Sequence, residues 1–256
     1  MERIYAAISL SITALFISVS PGLAIITCNT TQTINSNTTL NDDYVVTTQN
    51  FNACISIGGS AVVNMAGHTI TCQSNTNLCG PAVNIASTGT IRNGNIVTGT
   101  VGGNPAPFNV GVQCFSGGAF TDCSVSNMFI QAASDGMVGG YQVDTTVFED
   151  ADTCIDSSKA VSSAGFYRQN FCSANTTGFT TTGPSSGTFT IERNFVRAGT
   201  GTGIDVASSN TTVQHNIIDA TTPISGSGTL SENICADLVS CPEPTARGFT
   251  FSLDFN

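Results

Sequence analysis

Four segments of this chain share one form: an apolar residue, two polar residues, an Asn, then an apolar residue. They are Tyr167-Arg168-Gln169-Asn170-Phe171, Ile191-Glu192-Arg193-Asn194-Phe195, Val213-Gln214-His215-Asn216-Ile217 and Leu230-Ser231-Glu232-Asn233-Ile234. Between them lie short alternating runs led by Gly, such as Gly178-Phe179-Thr180-Thr181 and Gly203-Ile204-Asp205-Val206. A unit that recurs every twenty-odd residues is too small to bury its own apolar face, so it must stack on copies of itself.

The alternating runs begin near Ala53, Ala82, Gly111, Gly136, Ala160, Gly178, Gly203 and Ile224. Each offers a strand with one buried and one wet face, as in Val83-Asn84-Ile85 and Val112-Gln113-Cys114. A second strand follows a Gly or Ser turn, and a third follows the Asn turn, as in Phe195-Val196 and Ile217-Ile218. Three short strands per coil, stacked in parallel, predict an all-β chain: a right-handed parallel β-helix, or solenoid, of about eight rungs. The expected division is a signal peptide over 1–24, an N-terminal cap over 25–52, the solenoid over 53–240 and a C-terminal tail or cap strand over 241–256. The alternation of Phe249-Thr250-Phe251-Ser252-Leu253-Asp254-Phe255 marks that last strand.

The signal peptide is read from Arg3, the apolar stretch Ile4 to Val19 and the small residues of Pro21-Gly22-Leu23-Ala24. No other segment is long and apolar enough to span a bilayer. Ten cysteines suit a secreted, oxidised chain, although sequence leaves their pairing open. Close neighbours such as Cys72/Cys79, Cys114/Cys123 and Cys235/Cys241 could staple local loops. No CxxC is present and only His68 and His215 could join a metal site, so no metal centre is expected. Seventeen acidic residues against 7 basic ones give a net charge of -10, which disfavours nucleic acids and anionic membranes as partners. Asn29, Asn37, Asn175 and Asn210 each begin an Asn-Thr-Thr sequon that a eukaryotic secretory pathway could glycosylate.

Val62-Val63-Asn64-Met65-Ala66-Gly67-His68-Thr69-Ile70, followed by Gly89-Thr90-Ile91-Arg92-Asn93-Gly94-Asn95-Ile96, resembles the opening coils of right-handed parallel β-helix proteins of the pectate lyase-like superfamily. Ala66 stands where those proteins usually have Asn. The resemblance runs over about residues 50–236 and implies a fold, not an activity, because that fold hosts lyases, hydrolases, epimerases and adhesins. It also implies a ladder of stacked turn amides, to which Asn170, Asn194, Asn216 and Asn233 correspond. Asn suits such a ladder because it tolerates a left-handed backbone and its amide both donates and accepts. Asp150 and Cys123 are expected at the equivalent places in earlier rungs.

Just before the ladder one column is expected to read Asp122, Glu149, Gln169, Arg193, His215, Glu232; just after it, Arg197 and Asp219 are neighbours. These residues form either a surface charge ladder of small energetic value or a polar groove. In the groove, Arg193, Arg197, His215 and Asp219 would hold a saccharide or its carboxylate. Uronan lyases of the superfamily use an Arg or Lys beside Ca2+ held by Asp residues on the outward face of the first strand. Here that face is expected to read Ser56, Asn84, Gln113, Thr180 and Asp205, with a single carboxylate, which argues against a calcium site. Inverting glycosidases need two carboxylates flanking the bond, and the Asn-Thr-Asp and Gly-His-Gly motifs of polygalacturonases are lacking. The densest acidic stretch holds Asp144, Glu149, Asp150, Asp152 and Asp156 and precedes the only lysine, Lys159. It is a solvated loop or a Ca2+ loop; with Arg168, its residues Asp150, Asp152, Asp156 and Lys159 are a second candidate catalytic group.

The reading that results is a secreted extracellular protein without a standard catalytic site, a surface protein or one that binds polysaccharide or cell-surface glycan through the Asn84, Gln113, Thr180, Asp205 face. It would need no resident cofactor, with Ca2+ the one open possibility. The alternative is a polysaccharide-processing lyase or glycoside hydrolase with an atypical site. Ice binding is the weakest reading, because the Thr residues do not recur in sequence as an unbroken Thr-x-Thr column.

Overall fold

The computed structural model of the protein describes residues 24–47, 53–74, 78–116, 119–157, 165–181 and 188–235. The segments expected to be a signal peptide and a C-terminal cap strand lie outside these residues, as does Lys159. Among the described residues there are 24 strands and no helix. Strand pairing is parallel except at two local hairpins, where Asn104–Ala106 folds back on Thr90–Val101 and Ala119–Phe120 on Val110–Ser116.

Each repeat pairs with the next through three columns of equivalent residues. The inward residues of the first column include Ile55, Val83, Val112, Met137, Ile155, Phe179 and Ile204. Those of the second include Val63, Ile91, Val125, Val143, Tyr167, Ile191 and Val213. The third runs through Ile70, Ile96, Ile130, Phe148, Cys172, Val196 and Ile218. All of these side chains are buried, so one continuous apolar core runs the length of the stack. A single repeat has too few apolar groups to fold alone, and stacking supplies the missing contacts. The fully buried Tyr167 hydroxyl is satisfied within this core: it donates to Ser157 Oγ at 2.8 Å.

Four disulfides tie the described repeats together: Cys28–Cys54, Cys72–Cys79, Cys114–Cys123 and Cys154–Cys172. Two of these are the close neighbours suggested by spacing; the other two join cysteines 26 and 18 residues apart. Cys235 is also disulfide-bonded, and its expected partner Cys241 lies outside the described residues. Glycine permits close approach in the first column. A Cβ on Gly178 would run into the Gly203 carbonyl of the next repeat.

The observed register corrects the expected one at three points. The first-column strand between Asp135–Val138 and the Gly178 repeat is formed by residues 153–157, not by a run starting at Ala160, which lies outside the described residues. The ladder place before Asn170 belongs to Thr146, whose N–H donates to Asn170 Oδ1 at 2.9 Å, and not to Asp150. In the repeat before that, Ser126 and Phe129 align with Asp144 and Val147, so Met128, and not Cys123, stands at that level. At the N-terminal end, Ile25–Thr27 pairs with Asp43–Val46, and Gln32–Ile34 pairs with Ile55–Ile57. The parallel stacking therefore extends through the residues expected to cap it.

Candidate functional site

The corner between the second and third columns is built from a repeated left-handed residue followed by a buried one. The left-handed positions are Asn93, Asn127, Thr145, Gln169, Arg193, His215 and Glu232, all with φ between 50° and 60°. Asp122 and Glu149, expected in this column, are therefore replaced there by Asn127 and Thr145. In the last four repeats the buried residue that follows is an Asn: Asn170, Asn194, Asn216 and Asn233. Each Oδ1 accepts from the backbone N–H of the preceding repeat, and the Nδ2 of each of the first three donates to the next Oδ1 at 2.9–3.0 Å. Each Nδ2 also donates to a backbone carbonyl, such as Tyr167 O from Asn194 at 2.9 Å. Both donors of the Asn170, Asn194 and Asn216 amides are used within the protein, so this ladder holds the corner. A second, outer ladder joins Asn127, Asn93 and Asn64 at 2.8 and 2.9 Å.

The candidate residues separate onto different faces. Arg193 and His215 sit in the left-handed column, and His215 Nε2 pairs with Glu232. Arg197 and Asp219 are adjacent on the outward third column, 3.8 Å apart. Between these two columns stand Phe195 and Ile217, 38% and 45% exposed. The expected polar groove of Arg193, Arg197, His215 and Asp219 is thus divided by apolar side chains. Asp150 and Asp152 lie at the corner that leads to the next first-column strand. There Asp150 accepts from Gln131 at 3.3 Å, and Asp152 accepts from Asn175 at 3.4 Å.

On the first-column face the outward residues run Ser56, Asn84, Gln113, Val138, Asp156, Thr180, Asp205 and Ser225. The four ligand candidates Asn84, Gln113, Thr180 and Asp205 do share this column, but Val138 and Asp156 stand between Gln113 and Thr180. The face therefore carries two carboxylates, not one, separated by one repeat. Asp205 is hydrogen-bonded to Ser225. A shallow depression of about 340 Å3 opens at one end, among Ser56, Asn84, Gln113 and Phe115. Burial raises the Asp135 carboxyl above the ordinary carboxylate range; Asp156 and Asp152 add to this, and a hydrogen bond from Ser134 opposes it. Burial, reinforced by Asp150, likewise raises Glu149. Among the described residues no three His, Cys, Asp or Glu side chains gather as a metal site.

The second-column face holds a depression of about 400 Å3. Its floor is Arg168, Glu192 and Gln214, successive residues of an outward row whose preceding member is Asp144. The Arg168 guanidinium lies 4.3 Å from the centre of the Phe166 ring and donates to Asp144 at 3.0 Å. Gln214 donates to Glu192 at 2.9 Å. The hydrogen bond from Arg168 to Asp144 raises the Arg168 pKa further, so the guanidinium is permanently charged. Gln142, Thr190 and Gly165 complete the wall. This offers a planar cation on an aromatic ring, amide and hydroxyl groups at its rim, and carboxylates already engaged by neighbours.

Arg168 was legible in the sequence but this setting was not, because Thr190, Glu192 and Gln214 are joined to it only by register. No protein-family model, no curated protein and no solved structure matches the chain.

Proposed function

We propose that this is a secreted, disulfide-stabilised right-handed parallel β-helix, of the pectate lyase-like kind, that binds glycans without a standard catalytic site. Three parallel strand columns around one apolar core support the fold. Four disulfides support an oxidising, extracellular setting. The observation that carries the binding reading is the Arg168 depression. Arg168 and the rim groups Gln142, Thr190 and Gln214 supply donors and acceptors for sugar hydroxyls. Its one carboxylate, Glu192, accepts from Gln214, and Asp144 beside it accepts from Arg168, so both are engaged by neighbours.

The test is retention of the purified protein on a panel of neutral and acidic polysaccharides, with and without Ca2+, alongside the Arg168→Ala variant. Retention lost in that variant supports the site; undiminished retention moves binding to the Asn84, Gln113, Thr180, Asp205 face.

One observation favours an enzyme. Asp156 and Asp205 lie two repeats apart in one column, about 10 Å between backbones at the usual strand spacing. That is near the upper end of the separation found in inverting glycosidases, and the half-buried Asp135, with its raised pKa, is close by. Release of reducing ends that Asp156→Asn abolishes would establish this reading in place of the first.

A further inference from the structure

The residue after each ladder position faces outward. In six successive repeats it is apolar: Phe129, Val147, Phe171, Phe195, Ile217 and Ile234. These residues pair directly from repeat to repeat, so they form one straight stripe. At the usual strand spacing it is about 24 Å long. The Phe171 and Phe195 rings are parallel to within 2°, with centroids 5.2 Å apart. Phe195, Ile217 and Ile234 are 38%, 45% and 39% exposed. The ladder explains why the stripe exists: once Asn194 is turned inward, alternation forces Phe195 out. It does not explain why that residue is apolar, since an outward position favours polar residues unless something covers it.

We infer that this stripe is the docking track for a single extended chain of a neutral, β-linked polysaccharide, a proposal that rests on the glycan-binding reading. Width argues against a folded protein. A stripe one side chain wide offers only a narrow apolar core for an interface of the ~800 Å2 per partner that stable complexes bury. A flat pyranose ribbon is about as narrow, turns its C–H faces up and down, and repeats on nearly the strand spacing. Its equatorial hydroxyls would project sideways to the flanking columns, which hold Gln169 on one side and Ser173 on the other. The flanking columns carry both signs, Arg193, Arg197 and His215 against Glu149, Asp219 and Glu232, so the track has no excess of positive charge to select a uronate.

The experiment measures depletion of the full protein from solution by microcrystalline cellulose and by chitin. It compares wild type, the Phe195→Ser/Ile217→Ser double variant and Arg168→Ala, with unfolding midpoints measured for each. Retention of wild type on either polymer, at least tenfold weaker in the double variant at an unchanged midpoint, is the expected result. If the double variant's midpoint falls, Ile234→Ser at the end of the stripe provides the same comparison. Retention lost only in Arg168→Ala overturns the track and leaves the glycan-binding reading standing. No retention of wild type on either polymer, with binding to another glycan, also overturns the track alone; no binding to any glycan overturns both. A dimer in sedimentation equilibrium that the double variant abolishes gives the stripe to a second copy and overturns the proposal.

Discussion

Asn194 Nδ2 donates to Asn216 Oδ1 at 2.9 Å, while Asn194 Oδ1 accepts both the N–H and the amide of Asn170. One side chain thereby satisfies its two neighbours and the carbonyl of Tyr167. Replacing it with Leu, similar in size, leaves the buried Asn170 N–H and the Tyr167 carbonyl without these partners. An orphaned buried group costs about 1–3 kcal/mol, so Asn194→Leu is expected to destabilise the fold by ~3 kcal/mol or more. Urea unfolding checks this; a loss under about 1 kcal/mol, the value of one ordinary hydrogen bond, would show that the ladder is not cooperative.

Thr145 occupies the left-handed column at φ 50°, a conformation costly for a β-branched residue. In the two preceding repeats of the same column, Asn93 and Asn127 adopt it and bond to one another at 2.8 Å. Thr145→Asn should relieve strain and offer the outer ladder another rung. The expected gain is ~1 kcal/mol, read as a higher midpoint in chemical denaturation. A loss would mean that the Thr145 hydroxyl, 3.2 Å from Asp144 Oδ1, matters more than its backbone.

Asp135 gives the stability a pH dependence. Its folded pKa is raised, chiefly by burial, so the folded state holds this proton more tightly than the unfolded chain does. The stability linked to it is fully present below the ordinary carboxylate pKa of about 4 and is lost as pH rises through the raised folded value. Asp135→Asn removes the charge while keeping an oxygen for the Ser134 hydroxyl, now 2.9 Å away. The variant is therefore expected to melt above wild type at pH 7, with the difference vanishing near pH 3. An equal difference at both values would separate the effect from this titration.

The repeat, the all-β class and the identity of the ladder residues could be read from one dimension, because Asn recurs at a fixed place between apolar residues. Parity along a strand is likewise local, and it put Asn84, Gln113, Thr180 and Asp205 on one outward column. The registers that depend on irregular connections could not be read in this way. The strand Val147–Ser157 passes a corner by shifting register near Ala151, so counting residues misplaced Asp150 and left Asp156 off the column it occupies. Sequence also showed apolar residues after each Asn without their direction. Only the burial of the Asn amides, fixed by bonds to neighbouring repeats, turns Phe195 and Ile217 outward and splits the expected groove. Composition and periodicity thus determined which units stack. The tertiary structure decided which residues become neighbours, because contacts between repeats depend on the length of every turn that precedes them.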